Sequence, residues 1–109
     1  MINNEFKKLL ALLLINKDQL FRTSYQLCKV LAWKFKIIEF VDLTNDLLTD
    51  GLITRKIIKG IGHFNITNRG LDFLKTNEDY LYKKLKGLYP EEEEFIEGIW
   101  NSIDIGNQQ

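Results

Sequence analysis

The sequence predicts a mainly α-helical fold with a small antiparallel β-hairpin and an extra helix at the C-terminal end. Three observations carry this. Apolar residues recur at helical spacing around Phe6–Leu14, Leu27–Leu31 and Phe40–Leu48. The β-branched run Leu52–Ile58 is followed by the alternating run His63–Thr67, with Lys59-Gly60-Ile61-Gly62 between them as a turn. Ile66-Thr67-Asn68-Arg69-Gly70-Leu71 then opens a new helix, since Thr67 or Asn68 can cap its free N–H groups.

In order, the first helix takes Asn3 or Asn4 as its cap and places Phe6, Leu9, Leu10, Leu13 and Leu14 on one stripe. Leu12 and Ile15 widen that stripe, so the helix should be buried on more than one side, by the core or by a second subunit. The second helix opens at Thr23-Ser24 and buries Leu27, Val30 and Leu31, with Trp33 and Phe35 near its end. The third is expected over residues 38–50, with Phe40, Leu43 and Leu47 inward and Gly51 as the residue past its end, where a left-handed backbone costs glycine little. Its outer positions are Glu39, Asp42, Asn45, Asp46 and Thr49. In the hairpin Phe64 and Ile66 should face inward, leaving Arg55, Lys56, Lys59 and His63 outside. Leu71 and Leu74 anchor the helix after it. A further helix restarts near Thr76-Asn77 and stops at Gly87. Pro90 and Glu91–Glu94 suit the first turn of a last helix, whose Phe95, Ile96, Ile99, Trp100 and Ile103 form a concentrated apolar face that must pack back on the first helix or against a second copy.

The chain has 109 residues, 45% of them hydrophobic, which suffices for one core without disulfides or metal. A division into a core over residues 1–75 and a helical extension over residues 76–109 follows from the change in pattern. The single cysteine, Cys28, cannot pair within the chain and reads as core filler, with a redox-sensing thiol as the alternative. The apolar run Leu9–Ile15 is far shorter than the roughly 20 residues that span a bilayer, and no cleavage site follows it. A soluble cytoplasmic protein is expected.

Formal net charge is zero, which alone argues against strong nonspecific nucleic-acid binding. The charge is unevenly placed, however. Residues 1–75 hold 12 Lys and Arg against 7 Asp and Glu, a balance of +5, and residues 76–109 hold 3 against 8, a balance of −5. A basic body therefore precedes an acidic tail.

The stretch from Leu47-Leu48-Thr49-Asp50-Gly51-Leu52-Ile53 to the Thr67-Asn68-Arg69-Gly70 step, preceded by a helix pair, resembles a winged helix-turn-helix DNA-binding domain. The resemblance covers residues 6–75. It implies a transcriptional regulator that binds duplex DNA. Arg22 and Ser24, at the start of the second helix, would contact backbone phosphate. The third helix, with Lys36, Asp42 and Asn45, would enter the major groove, and Arg55, Lys56, Lys59 and His63 on the wing would hold phosphate or reach the minor groove. It also implies a homodimer, through the first helix and the apolar face Phe95, Ile96, Ile99, Trp100 and Ile103. The acidity of the third helix works against base readout, because phosphates repel carboxylates. Asn45 is its best-suited base-reading residue, and the wing should supply more of the affinity. The alternative is a protein-interaction module whose acidic third helix docks a partner protein.

Catalytic chemistry finds little material. One histidine and one cysteine are too few for a conventional zinc site, and Glu91–Glu94 fan outward as consecutive helical residues. Gly60-Ile61-Gly62 does not extend into G-x-G-x-x-G, since position 65 is Asn. No enzyme activity, metal or cofactor is expected.

Overall fold

The computed structural model describes residues 3–101. Six α-helices and one hairpin follow in the order α1 (Asn4–Lys17), α2 (Ser24–Phe35), α3 (Phe40–Thr49), β1 (Ile53–Ile58), β2 (Ile61–Ile66), α4 (Asn68–Thr76), α5 (Glu78–Leu88) and α6 (Glu93–Asn101). The architecture is mainly helical with one antiparallel hairpin, compatible with a winged-helix-like fold. No helix among the described residues is long and apolar enough to cross a membrane.

α1 is the centre of the molecule. Asn3 Oδ1 accepts from the Phe6 N–H at 2.8 Å, capping it. From Leu9 to Ile15 every residue is buried. A stretch apolar all round needs neighbours all round, and α2, α3, α4, α5, α6 and β2 supply them. The expectation that α1 serves a subunit interface is corrected accordingly, because its apolar surface is covered within the protomer.

α6 gives the same correction at Ile96 and Ile99, whereas Phe95 and Trp100 stay half-buried. Ile96 and Ile99 belong to the core cluster, while Phe95 and Trp100 pack at its margin. Ile103 lies outside the described residues. Leu81, Leu85 and Tyr89 join the same cluster, so α5 and α6 complete the core that α1 to α4 begin. Gly87 does not end α5. The helix continues to Leu88, where Tyr89 is drawn inward. Its hydroxyl donates to the Phe35 carbonyl at 2.7 Å, and its ring meets Phe35 edge-on at 5.0 Å.

A 3-10 turn over Gln19–Arg22, capped by Asp18, joins α1 to α2 and had no counterpart in the expectations. Thr23 then caps α2 by accepting from the Gln26 N–H. α3 starts at Phe40, two residues later than expected.

Gly51-Leu52 and Thr67-x-x-Gly70 form one clip. The Thr67 N–H donates to the Leu52 carbonyl at 3.0 Å, and its hydroxyl donates to the Gly51 carbonyl at 2.7 Å. The same hydroxyl accepts from the Gly70 N–H, capping α4. A Cβ on Gly70 would stand 2.1 Å from the Leu52 carbonyl oxygen, so α4 can approach the base of the hairpin only with glycine there. The hairpin is thus fastened at its base.

Candidate nucleic-acid interface

The hairpin pairs Ile53 with Ile66, Arg55 with Phe64, Lys56 with His63 and Ile58 with Ile61. Its two-residue turn, Lys59-Gly60, has positive φ at both residues (53° and 79°), as the tight turns suited to twisted strands require. Strand β2 is therefore longer than expected and starts at Ile61. Directly opposed residues share a face of the ribbon. Arg55 accordingly lies on the face of Phe64, and Lys56 on the face of His63. Arg55 and Lys56 therefore leave the ribbon on opposite faces. Both are exposed, as is Lys59, and none of the three forms an ion pair among the described residues.

Thr23 forms an antiparallel bridge with the half-buried His63, so the start of α2 lies along β2. A Cβ built on Gly62 would come 3.4 Å from Ser24 Oγ and 3.8 Å from the Arg55 Cδ. The fold thereby brings Ser24 beside Arg55 on one face of the ribbon, while the His63 side chain lies on the other. Arg22 stands close to Ser24 in sequence but is engaged elsewhere. Its Nε donates to the Ile15 carbonyl at 2.8 Å and its Nη2 to the Asn16 carbonyl at 3.4 Å, closing the end of α1. Its expected phosphate contact thus competes with a structural role. Lys36 does not join Ser24 and Arg55 either. It is the left-handed residue that ends α2, with its ammonium on the Trp33 carbonyl, and α2 is about 18 Å long.

The acidity of α3 looks different in three dimensions. Glu39, Asp42, Asp46 and Asp50 fall three or four residues apart and share one stripe, turned toward α1. Lys7 Nζ reaches Glu39 at 3.0 Å, Lys8 Nζ reaches Asp50 at 2.7 Å, and Asn4 Nδ2 donates to Asp46 at 3.4 Å. The Lys7 hydrogen bond, with help from backbone N–H groups, holds the Glu39 carboxyl below its ordinary pKa. Asp42 is the acid of this helix left without such a partner among the described residues. Val41, Asn45 and Thr49 form the exposed stripe beside it, with Asn45 central.

Sequence reasoning missed the apolar exposure around the hairpin. Ile57, Ile58 and Ile61 are 61%, 43% and 47% exposed. Ile61 continues onto exposed Leu20 and Tyr25, and these three line an open groove with Gln19, Thr23 and Gln26. The imperfect alternation of Leu52–Ile58 was the available signal, because adjacent isoleucines cannot both face one core. The ordinary exposed residue Arg69 also stands near Gly51, its Cδ 3.9 Å from a Cβ placed there.

No protein-family model, curated protein or solved structure matches the chain.

Proposed function

We propose that this protein is a transcriptional regulator that binds duplex DNA, with the hairpin as a basic wing and α3 beside it in the major groove. The observation that carries the reading is the division of charge. Between Gly51 and Leu71 there is no acidic residue, while Arg55, Lys56, Lys59 and Arg69 are all exposed. Three acids of α3 meanwhile answer to Asn4, Lys7 and Lys8 on α1. A polyanion meeting the hairpin encounters cations without an ion-pair partner among the described residues, and Asn45, exposed at the centre of the outward stripe of α3, carries the side chain suited to bidentate contact with adenine. Ser24, in the first turn of α2, adds free backbone N–H groups beside Arg55.

The alternative, a protein-interaction module, draws support from the exposed Leu20, Tyr25 and Ile61. Its original basis, an acidic α3, is weaker now that most of those carboxylates pair with α1. Homodimerisation is not needed for this reading, and Ile96 and Ile99 are occupied within the protomer.

The test is binding to a mixed duplex at low salt, for wild type and for Arg55→Glu/Lys56→Glu/Lys59→Glu. The expected result is micromolar binding that weakens with salt and is lost in the triple variant. Three phosphate contacts correspond to a slope of about −3 in log affinity against log salt. A wild-type protein that ignores DNA at low salt would leave the protein-interaction reading standing instead.

A further inference from the structure

Resting on the DNA-binding reading, we infer that the isoleucines at the hairpin tip are a wedge that enters the minor groove, partly unstacks a base step and bends the duplex. The first observation is position. Gly62 is the last buried residue of β2, counted toward the turn, lying against Ser24 of the body. Ile61 is the next residue out, about 3.4 Å along the strand, and Ile58 is its cross-strand partner on the same face. Ile57 occupies the opposite face of the ribbon, with Gly62 across from it. The tip therefore carries apolar side chains on both faces where the hairpin has left the core.

The second observation is chemistry. These three side chains are about half exposed, and the residues between and beside them are Arg55, Lys56 and Lys59, with no carboxylate in the whole ribbon. Apolar side chains flanked by cations match the two things a base step offers, a stack that can be parted and phosphates on either side. Leu20 and Tyr25 extend the apolar surface beside Ile61, and deoxyribose presents apolar faces along the groove walls.

The apex decides between DNA and a lipid surface, which also accepts an apolar tip with a basic surround. The turn itself is Lys59-Gly60, so the residue reaching furthest is a lysine. In hydrocarbon that ammonium would cost about 3 kcal/mol. On the floor of the minor groove it meets the adenine N3 and thymine O2 acceptors. Steps that kink easily, TA above all, should be preferred.

The experiment reads binding and bending separately on one duplex of about 30 base pairs with central TA steps, labelled at its two ends. Anisotropy reports binding, and energy transfer between the ends reports bending. Wild type is expected to bind and to raise the transfer. Ile58→Ser/Ile61→Ser, which alters exposed residues, should still bind, at higher protein concentration, without the rise. Arg55→Glu/Lys56→Glu/Lys59→Glu should not bind. If wild type binds without bending, or the serine variant bends as wild type does, the wedge is overturned while DNA binding survives. If wild type does not bind, both ideas fall. Co-sedimentation with phosphatidylserine vesicles that is lost in the serine variant, without any DNA bending, would assign the tip to a membrane and overturn the wedge.

Discussion

Two apolar stretches of this chain meet opposite fates. In α1, Leu9–Ile15 is buried on every side, at most 1% exposed. At the hairpin tip, Ile57, Ile58 and Ile61 are equally apolar yet stand half in solvent. Composition does not separate them, because leucine and isoleucine bring similar apolar area. Neighbours do. α1 runs through the middle of five other helices and β2, whereas the hairpin is a two-stranded ribbon whose tip is only partly covered among the described residues. Burial reports what holds the fold together, and apolar surface left uncovered marks where something else can be held.

The comparison is broken most directly by truncating one residue from each stretch. Leu12→Ala should cost about 2–5 kcal/mol, the transfer energy of the lost methyl groups plus the cavity they leave. Ile58→Ala should change stability by no more than about 0.5 kcal/mol, as exposed positions do. Urea unfolding followed by circular dichroism measures both. Similar losses at the two sites would mean that the hairpin tip is packed, and the wedge would lose its premise.

The base of the hairpin behaves like the core and not like the tip. Gly70→Ala places a Cβ against the Leu52 carbonyl at 2.1 Å and against Ile66 Cγ1 at 2.9 Å. One of these must move, and the clip through Thr67 moves with it. A loss of about 3 kcal/mol is expected in the same unfolding experiment. Gly87→Ala is the matched control, because nothing lies within 4 Å of its Cβ position and alanine favours the helix. A Gly70 variant as stable as that control would show the approach of α4 to the base of the hairpin to be loose.

The same contrast explains which features were legible in the sequence. Local rules worked wherever one element settles its own fate. The caps at Asn3, Thr23 and Thr67, the helix stop at Gly51 and the hairpin turn near Gly60 each follow from a residue and its immediate neighbours. Even the Thr-x-x-Gly step was visible as a pattern, although its reason, the Leu52 carbonyl pressed on Gly70, was not. What failed depends on partners far away in the chain. The stripe of α6 was legible, with the first helix or a second copy as its candidate partners, but not which of them would cover it, nor that α5 would join. The four acids of α3 were legible, but not their meeting with Asn4, Lys7 and Lys8 some 30 to 40 residues earlier. Among the expected contact residues, Ser24 and Arg55 converge, while His63 takes the other face of the ribbon, Lys36 lies at the far end of α2 and Arg22 is tied to α1. Periodicity gives a face and never its occupant.

The smallest expected effect concerns how α6 is held, since cover of its apolar face by the body is what distinguishes it from the hairpin tip. Glu97 accepts from Lys86 Nζ at 2.7 Å and from the Tyr82 hydroxyl. The Lys86 bond, then that from Tyr82, holds the Glu97 carboxyl below its ordinary pKa. The same partners hold the Lys86 ammonium above its own. A carboxyl with a lowered folded pKa stabilises the fold above its unfolded pKa of about 4.3, and that contribution disappears as pH falls through the folded value. The lysine acts in the opposite direction: its contribution is complete below about pH 10.4 and is lost as pH rises through its raised folded value. Between these limits the clip is intact, and because these groups are solvent-accessible its effect is small. Trp100, whose ring lies 4.9 Å from that of Tyr82, reports on it once the exposed Trp33 is replaced by Phe. In that background the urea midpoint should fall between pH 5 and pH 3, and Glu97→Gln should flatten the fall. If the slope persists in the glutamine variant, another carboxylate governs it, with Glu39 under Lys7 the next to test. α6 would then be held by its apolar face alone.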